Sequence, residues 1–130
     1  MRVIVTASRD WVDWNGMVDT LAAVHAEGLV LVVGRGGRGD RWAEQIAVGH
    51  LGWGIDPYPA DWKRYGKRAG PIRNAAMVAS GGHLCIGFLR PCSQPECPRR
   101  EFHWSHGATN TLELAEQADI PIIRKEDPRP

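Results

Sequence analysis

No stretch of this sequence strings together the ~20 apolar residues that a membrane-spanning helix needs. The first residues, MRVIVTASRD, have no apolar segment of the kind a secretory leader carries, because charges arrive within ten residues. Surplus charge is also missing: 16 Lys and Arg stand against 15 Asp and Glu, a formal net charge of +1. No bulk positive field therefore argues for duplex nucleic acid. Three cysteines are too few for a disulfide framework and read as thiols or metal ligands. The expectation is a cytoplasmic protein with no membrane partner. The chain is not short of a core: 43% of its 130 residues are hydrophobic, enough for one domain. It holds 15 glycines and six tryptophans, and several of these cluster between apolar runs.

Those runs alternate in kind. Residues 2–6 (RVIVT), 29–33 (LVLVV), 83–89 (HLCIGFL) and 120–124 (IPIIR) are short and rich in β-branched residues, as buried strands are. A further short strand is expected at 54–56. Between them, helical spacing predicts helices over 15–27, closed by Gly28, from Asp40 as N-cap, over 71–80 with Pro71 in the first turn, and over 109–118. Alternating strands and helices predict an α/β fold: one Rossmann-like, three-layer domain over residues 1–124, with an open, mainly parallel sheet of about five strands. Residues 125–130 (KEDPRP) are expected to fray. Right-handed crossovers put every strand-to-helix loop on one sheet edge, where such folds bind ligands.

Three loops on that edge carry chemistry. In 34–40 (GRGGRGD), Gly34, Gly36 and Gly39 fit G-x-G-x-x-G between a strand and a helix. Glycines there admit backbone N–H groups to a phosphate, and the helix terminus adds its dipole. Arg35 and Arg38 could add charge-assisted bonds. The match follows the second strand rather than the first, unlike a standard dinucleotide fingerprint. In 6–11 (TASRDW), Ser8 and Arg9 can bond a phosphate or a carboxylate. In 59–77, Arg73 and Asn74 are read in the first turn of a helix, where the dipole disfavours a cation. A ligand phosphate or a buried acid such as Asp40 or Asp61 is expected to compensate. Trp11 and Trp62 are the candidates for stacking on a base.

Residues 7–11 (ASRDW), the glycine loop ending on Asp40, 60–62 (ADW), 69–77 (AGPIRNAAM), 84–88 (LCIGF) and 105–108 (SHGA) resemble the SLOG superfamily, in particular its small YspA-like branch related to YpsA, found in bacteria and their phages. The likeness spans about residues 2–124 and is most specific at 70–77. It departs at Ala7 and Arg38, where the pattern carries glycine. The resemblance implies a Rossmann-like sheet with a site for a nucleotide or nucleotide-derived ligand such as ADP-ribose or an NAD-like molecule. The implied pocket is Ser8, Arg9, Gly34, Gly36, Gly37, Asp40, Arg73, Asn74, Ser105 and Gly107. Related proteins also pair through helices, which leaves room for a homo-oligomer. The more distant LOG phosphoribohydrolases share R-x-x-x-M, matched by Arg73 and Met77. Their catalytic G-T-x-E-E reads Gly107-Ala108-Thr109-Asn110-Thr111 here, so no carboxylate stands at the catalytic position. No catalytic residue is assigned on that basis.

The insert at 90–106 (RPCSQPECPRREFHWSH) spaces Cys92 and Cys97 four residues apart internally, and His103 and His106 two apart. Two readings stand: a structural zinc site, to which thiolates and imidazoles are suited, or free thiols that pair under oxidation. Three functions remain. The first is a module that senses or sequesters a nucleotide-type small molecule. The second is a nucleotide hydrolase or phosphoribohydrolase whose carboxylate is Asp10, Asp40 or Asp61. The third is nucleic-acid binding of the kind known in the distant DprA branch, through Arg64, Lys67, Arg68 and Arg73. The even charge balance disfavours the third.

Overall fold

The computed structural model describes residues 1–129. Its strands are β1 (Arg2–Ala7), β2 (Val30–Val33), β3 (Gly54–Pro57), β4 (Leu84–Leu89) and β5 (Ile122–Glu126). The helices are α1 (Trp14–Val24), α2 (Arg38–Glu44), α3 (Trp62–Tyr65), α4 (Ala69–Ala79) and α5 (His106–Gln117). All the strands pair in parallel, in the order β3-β2-β1-β4-β5. The expected α/β sheet is therefore what forms. Alternation within β1 divides the core. Val3 and Val5 pack with Met17 and Leu21 of α1 and Ala43 of α2, whereas Ile4 packs with Met77 of α4 and with Leu112 and Ala115 of α5. Helices thus cover both faces, and strands buried on both sides read as continuous apolar runs.

The strand order reverses direction at β1, with β2 on one side and β4 on the other. Such a switch point opens a crevice beyond the carboxyl ends of the two strands. Here the loops after β1 and β4 flank it.

Helix boundaries depart from the sequence reading where tertiary contacts intervene. Helix α1 ends at Val24, not Glu27, because His25 leaves the helix to stack on Trp53 and accept its indole N–H at 2.8 Å. Gly28 serves the turn beyond, at φ +79°. Asp40 is not an N-cap: α2 starts at Arg38, behind Gly37. The helix then continues as a π-helical stretch, Gln45–His50. Residues 62–68 are helical as well. Helix α3, capped by the Asp61 carboxylate, runs through the 3-10 turn Gly66–Arg68 straight into α4. Because α4 starts at Ala69, Arg73 lies in its second turn, beyond the reach of the terminal dipole that was expected to oppose it. Helix α5 begins three residues before Thr109, at His106.

The domain also extends past residue 124. β5 runs to Glu126, Asp127 is buried, and its backbone N–H donates to Leu89 at 2.9 Å. Asp127 pairs with Arg129 and Arg90. The bond from Arg129 leads the effects that hold its carboxyl down at about 2. The tail expected to fray is thus tied to the sheet edge through Arg129, and Pro130 lies outside the described residues.

Candidate functional site

A cavity of about 570 Å³ opens at the carboxyl edge of the sheet. Five segments line it: the end of β1 and its loop, the glycine loop, the α3–α4 region, the insert after β4, and the start of α5. Eight of the ten residues expected in the pocket are on its wall: Ser8, Arg9, Gly36, Asp40, Arg73, Asn74, Ser105 and Gly107. Gly34 and Gly37 are not.

Those two glycines have another task. A Cβ on Gly34 would collide with the Arg73 guanidinium, and one on Gly37 would meet Cβ of Arg9 at 2.8 Å. The loop is bare so that the protein's own arginines can lie against it. Arg73 Nη1 donates to the Gly34 carbonyl at 2.5 Å, and Nε donates to Asn74 Oδ1 at 2.8 Å. Asn74 Nδ2 in turn donates to the Gly107 carbonyl at 3.3 Å. A strut of side chains from α4 thereby joins the glycine loop to the start of α5.

Asp40 closes the loop from the other direction. Its carboxylate accepts the Gly36 N–H at 2.8 Å and the Ala7 N–H at 3.2 Å. Burial pushes its pKa up from the ordinary carboxylate value. Those two bonds and the nearby Arg73 and Arg9 pull the other way. Burial likewise pushes Arg73 down, opposed by Asp40.

Ser8 is buried, its Oγ accepting the Arg90 N–H at 2.8 Å and sharing a 2.5 Å hydrogen bond with Ser105 Oγ. The two serines lock the loop after β1 to the loop after β4, at the switch point itself. Arg9 is exposed, with its guanidinium 5.8 Å from the centre of the Trp62 ring. Trp62 is half exposed on the cavity wall.

Three expectations are corrected. Trp11 cannot stack on a ligand: it is 2% exposed, edge-on to Phe88, with its indole N–H given to the Asp13 carbonyl. Its place on the ligand edge did not determine which way its ring turned. Neither Arg35 nor Arg38 lines the cavity. Arg35 pairs with Glu44 at 3.0 Å, and Arg38 donates to the carbonyls of Trp11 and Asp10, tying α2 to the loop after β1. Asp61 is spent as the α3 cap, donated to by the Arg64 N–H. Lys67, Asp10, Gln94 and Glu96 join the wall without having been assigned to the pocket. Lys67 belongs to a basic run that is visible in the sequence. Glu96 carried no signal, since nothing local says which way the insert folds.

The insert folds back on itself. Cys92 N–H donates to the His103 carbonyl and Ser105 N–H to the Arg90 carbonyl, both at 2.9 Å. This closure brings the side chains of Cys92, Cys97, His103 and His106 together, with one ligand atom of each within 4.8 Å of all the others. Cys92 Sγ and Cys97 Sγ each lie 3.6 Å from His106 Nε2, and Cys97 Sγ lies 3.5 Å from His103 Nε2. The two Nε2 atoms are 3.0 Å apart. His103 Nδ1 lies 2.9 Å from the Glu101 carbonyl, where it can donate and leave Nε2 free as a ligand. Such a group can hold a metal ion. Cys85 takes no part: it is buried within β4, where burial pushes its thiol up to about 12.

Among the described residues no helix is long and apolar enough to cross a membrane. No solved structure matches the chain significantly. Gene 61 protein of Mycobacterium phage D29 is 35% identical over 131 residues, which cover 94% of each chain. Residues 1–65, from β1 through the glycine loop to the end of α3, match the profile of the YspA, cpYpsA-related SLOG family. On that match and that phage relative, the chain belongs to the YspA, cpYpsA-related SLOG family.

Proposed function

We propose that the chain binds a nucleotide-derived phosphate ligand, a free nucleotide or an ADP-ribose- or NAD-like molecule, in the cavity beside β1 and β4, and acts as a sensor or sequestering module. The observation that carries this reading is the set of cations on the wall. Arg9, Lys67 and Arg73 all line the cavity, and among the described residues none has a carboxylate at ion-pairing distance. Cations without an ion-pair partner in a concave site suit an anion, and the buried Asp40, which acts on Arg73 and Arg9 from beyond ion-pairing distance, supplies only one negative charge for the three. The volume falls within the range of about 300–1,000 Å³ typical of small-molecule sites. Trp62 offers a face for a base, in the manner of stacking platforms elsewhere.

A hydrolase is less well supported. Asp40 is engaged by two backbone N–H groups, and Asp61 caps a helix. Glu113, the carboxylate nearest in sequence to the hydrolase motif position, is not on the cavity wall but lines a neighbouring hollow with Arg99 and Phe102, which shares His106 and Asn110 with the cavity. Asp10 and Glu96 are the remaining acids on the wall.

The four-residue cluster is read as a structural zinc site. Tetrahedral zinc with bonds of about 2.0–2.3 Å to nitrogen and sulfur sets its ligand atoms about 3.3–3.8 Å apart. The sulfur–nitrogen separations of 3.5 and 3.6 Å fit that spacing, whereas the two Nε2 atoms, 3.0 Å apart, would have to part slightly to take the ion.

The test is a panel of nucleotides, ADP-ribose and NAD followed by thermal shift, with chromatography of the ligands after incubation. The expected result is a shift with the ligand recovered intact. Release of base or phosphate assigns a hydrolase instead, and no shift with any member overturns the reading. Trp62→Ala should leave stability within about 0.5 kcal/mol, the usual scale for a surface change. It should weaken a base-containing ligand by about 1–3 kcal/mol, read by calorimetry.

A further inference from the structure

Two residues belong to both features of the sheet edge: Cys92 and His106 are members of the Cys/His cluster and also line the cavity. Between Cys92 and Cys97 the insert adds Ser93, Gln94 and Glu96 to the wall. Little else fixes that stretch. Residues 93–102 contribute no buried side chain, and Phe102 is 63% exposed. Their backbone closure is one turn, Cys97 N–H to the Gln94 carbonyl at 3.2 Å. A metal ion cross-linking four side chains would supply the order that no apolar core gives.

The wall is chemically divided. Arg9, Lys67 and Arg73, from the loop after β1 and from the α3–α4 region, suit phosphate. The insert instead offers a hydroxyl, an amide and a carboxylate. Glu96 repels phosphate but accepts hydrogen bonds from sugar hydroxyls and exocyclic amines. We infer that the metal-closed insert is the nucleoside-reading wall of the cavity, so that metal loading raises affinity for nucleoside phosphates and leaves affinity for bare phosphate unchanged. This rests on the nucleotide reading above and adds regulation to it. By linkage, a bound nucleotide tightens zinc by the same factor that zinc tightens the nucleotide.

The experiment titrates the full chain, zinc-loaded and zinc-stripped, with pyrophosphate, ADP-ribose and the four common ribonucleoside monophosphates, using calorimetry. Amide exchange is followed on both forms without ligand. Stripping zinc should weaken the best nucleoside phosphate at least tenfold and change pyrophosphate less than twofold. Exchange should rise at 93–97 and 106–110 while β1 and β4 stay protected. In zinc-loaded protein, Glu96→Gln should weaken the nucleoside phosphate and keep one zinc per chain, so the claim does not depend on the stripped form remaining folded. Nucleoside affinity unchanged by both zinc removal and Glu96→Gln overturns the inference alone, as does an equal loss for pyrophosphate. Failure of zinc to bind also overturns it and leaves the ligand reading standing. No binding of any probe to zinc-loaded protein overturns both.

Discussion

The glycine loop and the Cys/His insert sit on the same sheet edge and wall the same cavity, yet they are held by opposite means. The loop is organised by the fold. Arg73, Asp40 and Arg38 reach its backbone, or the backbone beside it, from helices packed on the core. The insert is organised by its own side chains, which converge on one point. The first wall therefore costs nothing further once the sheet has folded, whereas on the zinc reading proposed above the second depends on a metal from outside the chain. A cavity with one built-in wall and one conditional wall can answer to two inputs.

The largest effect should come from the conditional wall. Replacing both thiols, Cys92→Ser with Cys97→Ser, should take bound zinc from one ion per chain to none by elemental analysis. The circular dichroism of the sheet and helices should stay intact, because Trp104 alone of the insert packs against the core. Global unfolding of that variant would erase the contrast between the walls. Arg73→Ala strikes the built-in wall instead. It removes a charged bond to Gly34 and another to Asn74, worth about 1.5–3 kcal/mol each in general. The expected loss is about 2 kcal/mol in urea melts, with phosphate-ligand binding abolished and zinc content unchanged. Two glycine substitutions sharpen the comparison. Gly37→Ala forces a Cβ against Arg9 and should cost about 1–3 kcal/mol, as overpacking does. Gly107→Ala has open space in α5 and should be neutral or stabilising by up to about 1 kcal/mol, by helix propensity.

The smallest effect concerns pH. Burial raises the Asp40 pKa in the folded state, so the folded chain binds that proton more tightly than the unfolded chain does. Its stabilising contribution is present below the ordinary carboxylate value of 3.8 and is lost as pH rises through the raised value. Asp40→Asn cannot titrate, so the stability gap between wild type and variant should narrow from acid toward neutral pH. A gap that widens would mean that Arg73 and the two N–H groups outweigh burial.

How much of this was written in the sequence follows the same division. The sheet was legible because β-branched apolar runs alternated with helical spacing, and parallel order follows from that alternation. A place on the cavity wall was legible where it follows from a loop's position at the sheet edge, as at Arg9 and Gly36. It was not legible where tertiary partners decide. Asp40 looks like a helix cap until Ala7 and Gly36 turn out to be its donors. Trp11 and Trp62 both mark the ligand edge, but only packing against Phe88 sends one of them into the core. Pro71 is tolerated throughout a first turn, so it could not say that α4 begins at Ala69. The insert's Cys/His cluster could be read from residue type and spacing, whereas the place of Glu96 on the wall depends on how the insert folds.

The central claim is that unpaired cations at the switch point hold the phosphate of a small molecule. Native mass spectrometry of the purified chain beside its Arg9→Ala, Arg73→Ala double variant tests it most directly. The account predicts a co-purifying mass, identified by fragmentation as a phosphate-bearing nucleotide derivative, on the wild type and absent from the variant. A retained molecule without phosphate, or equal retention by both proteins, would contradict it.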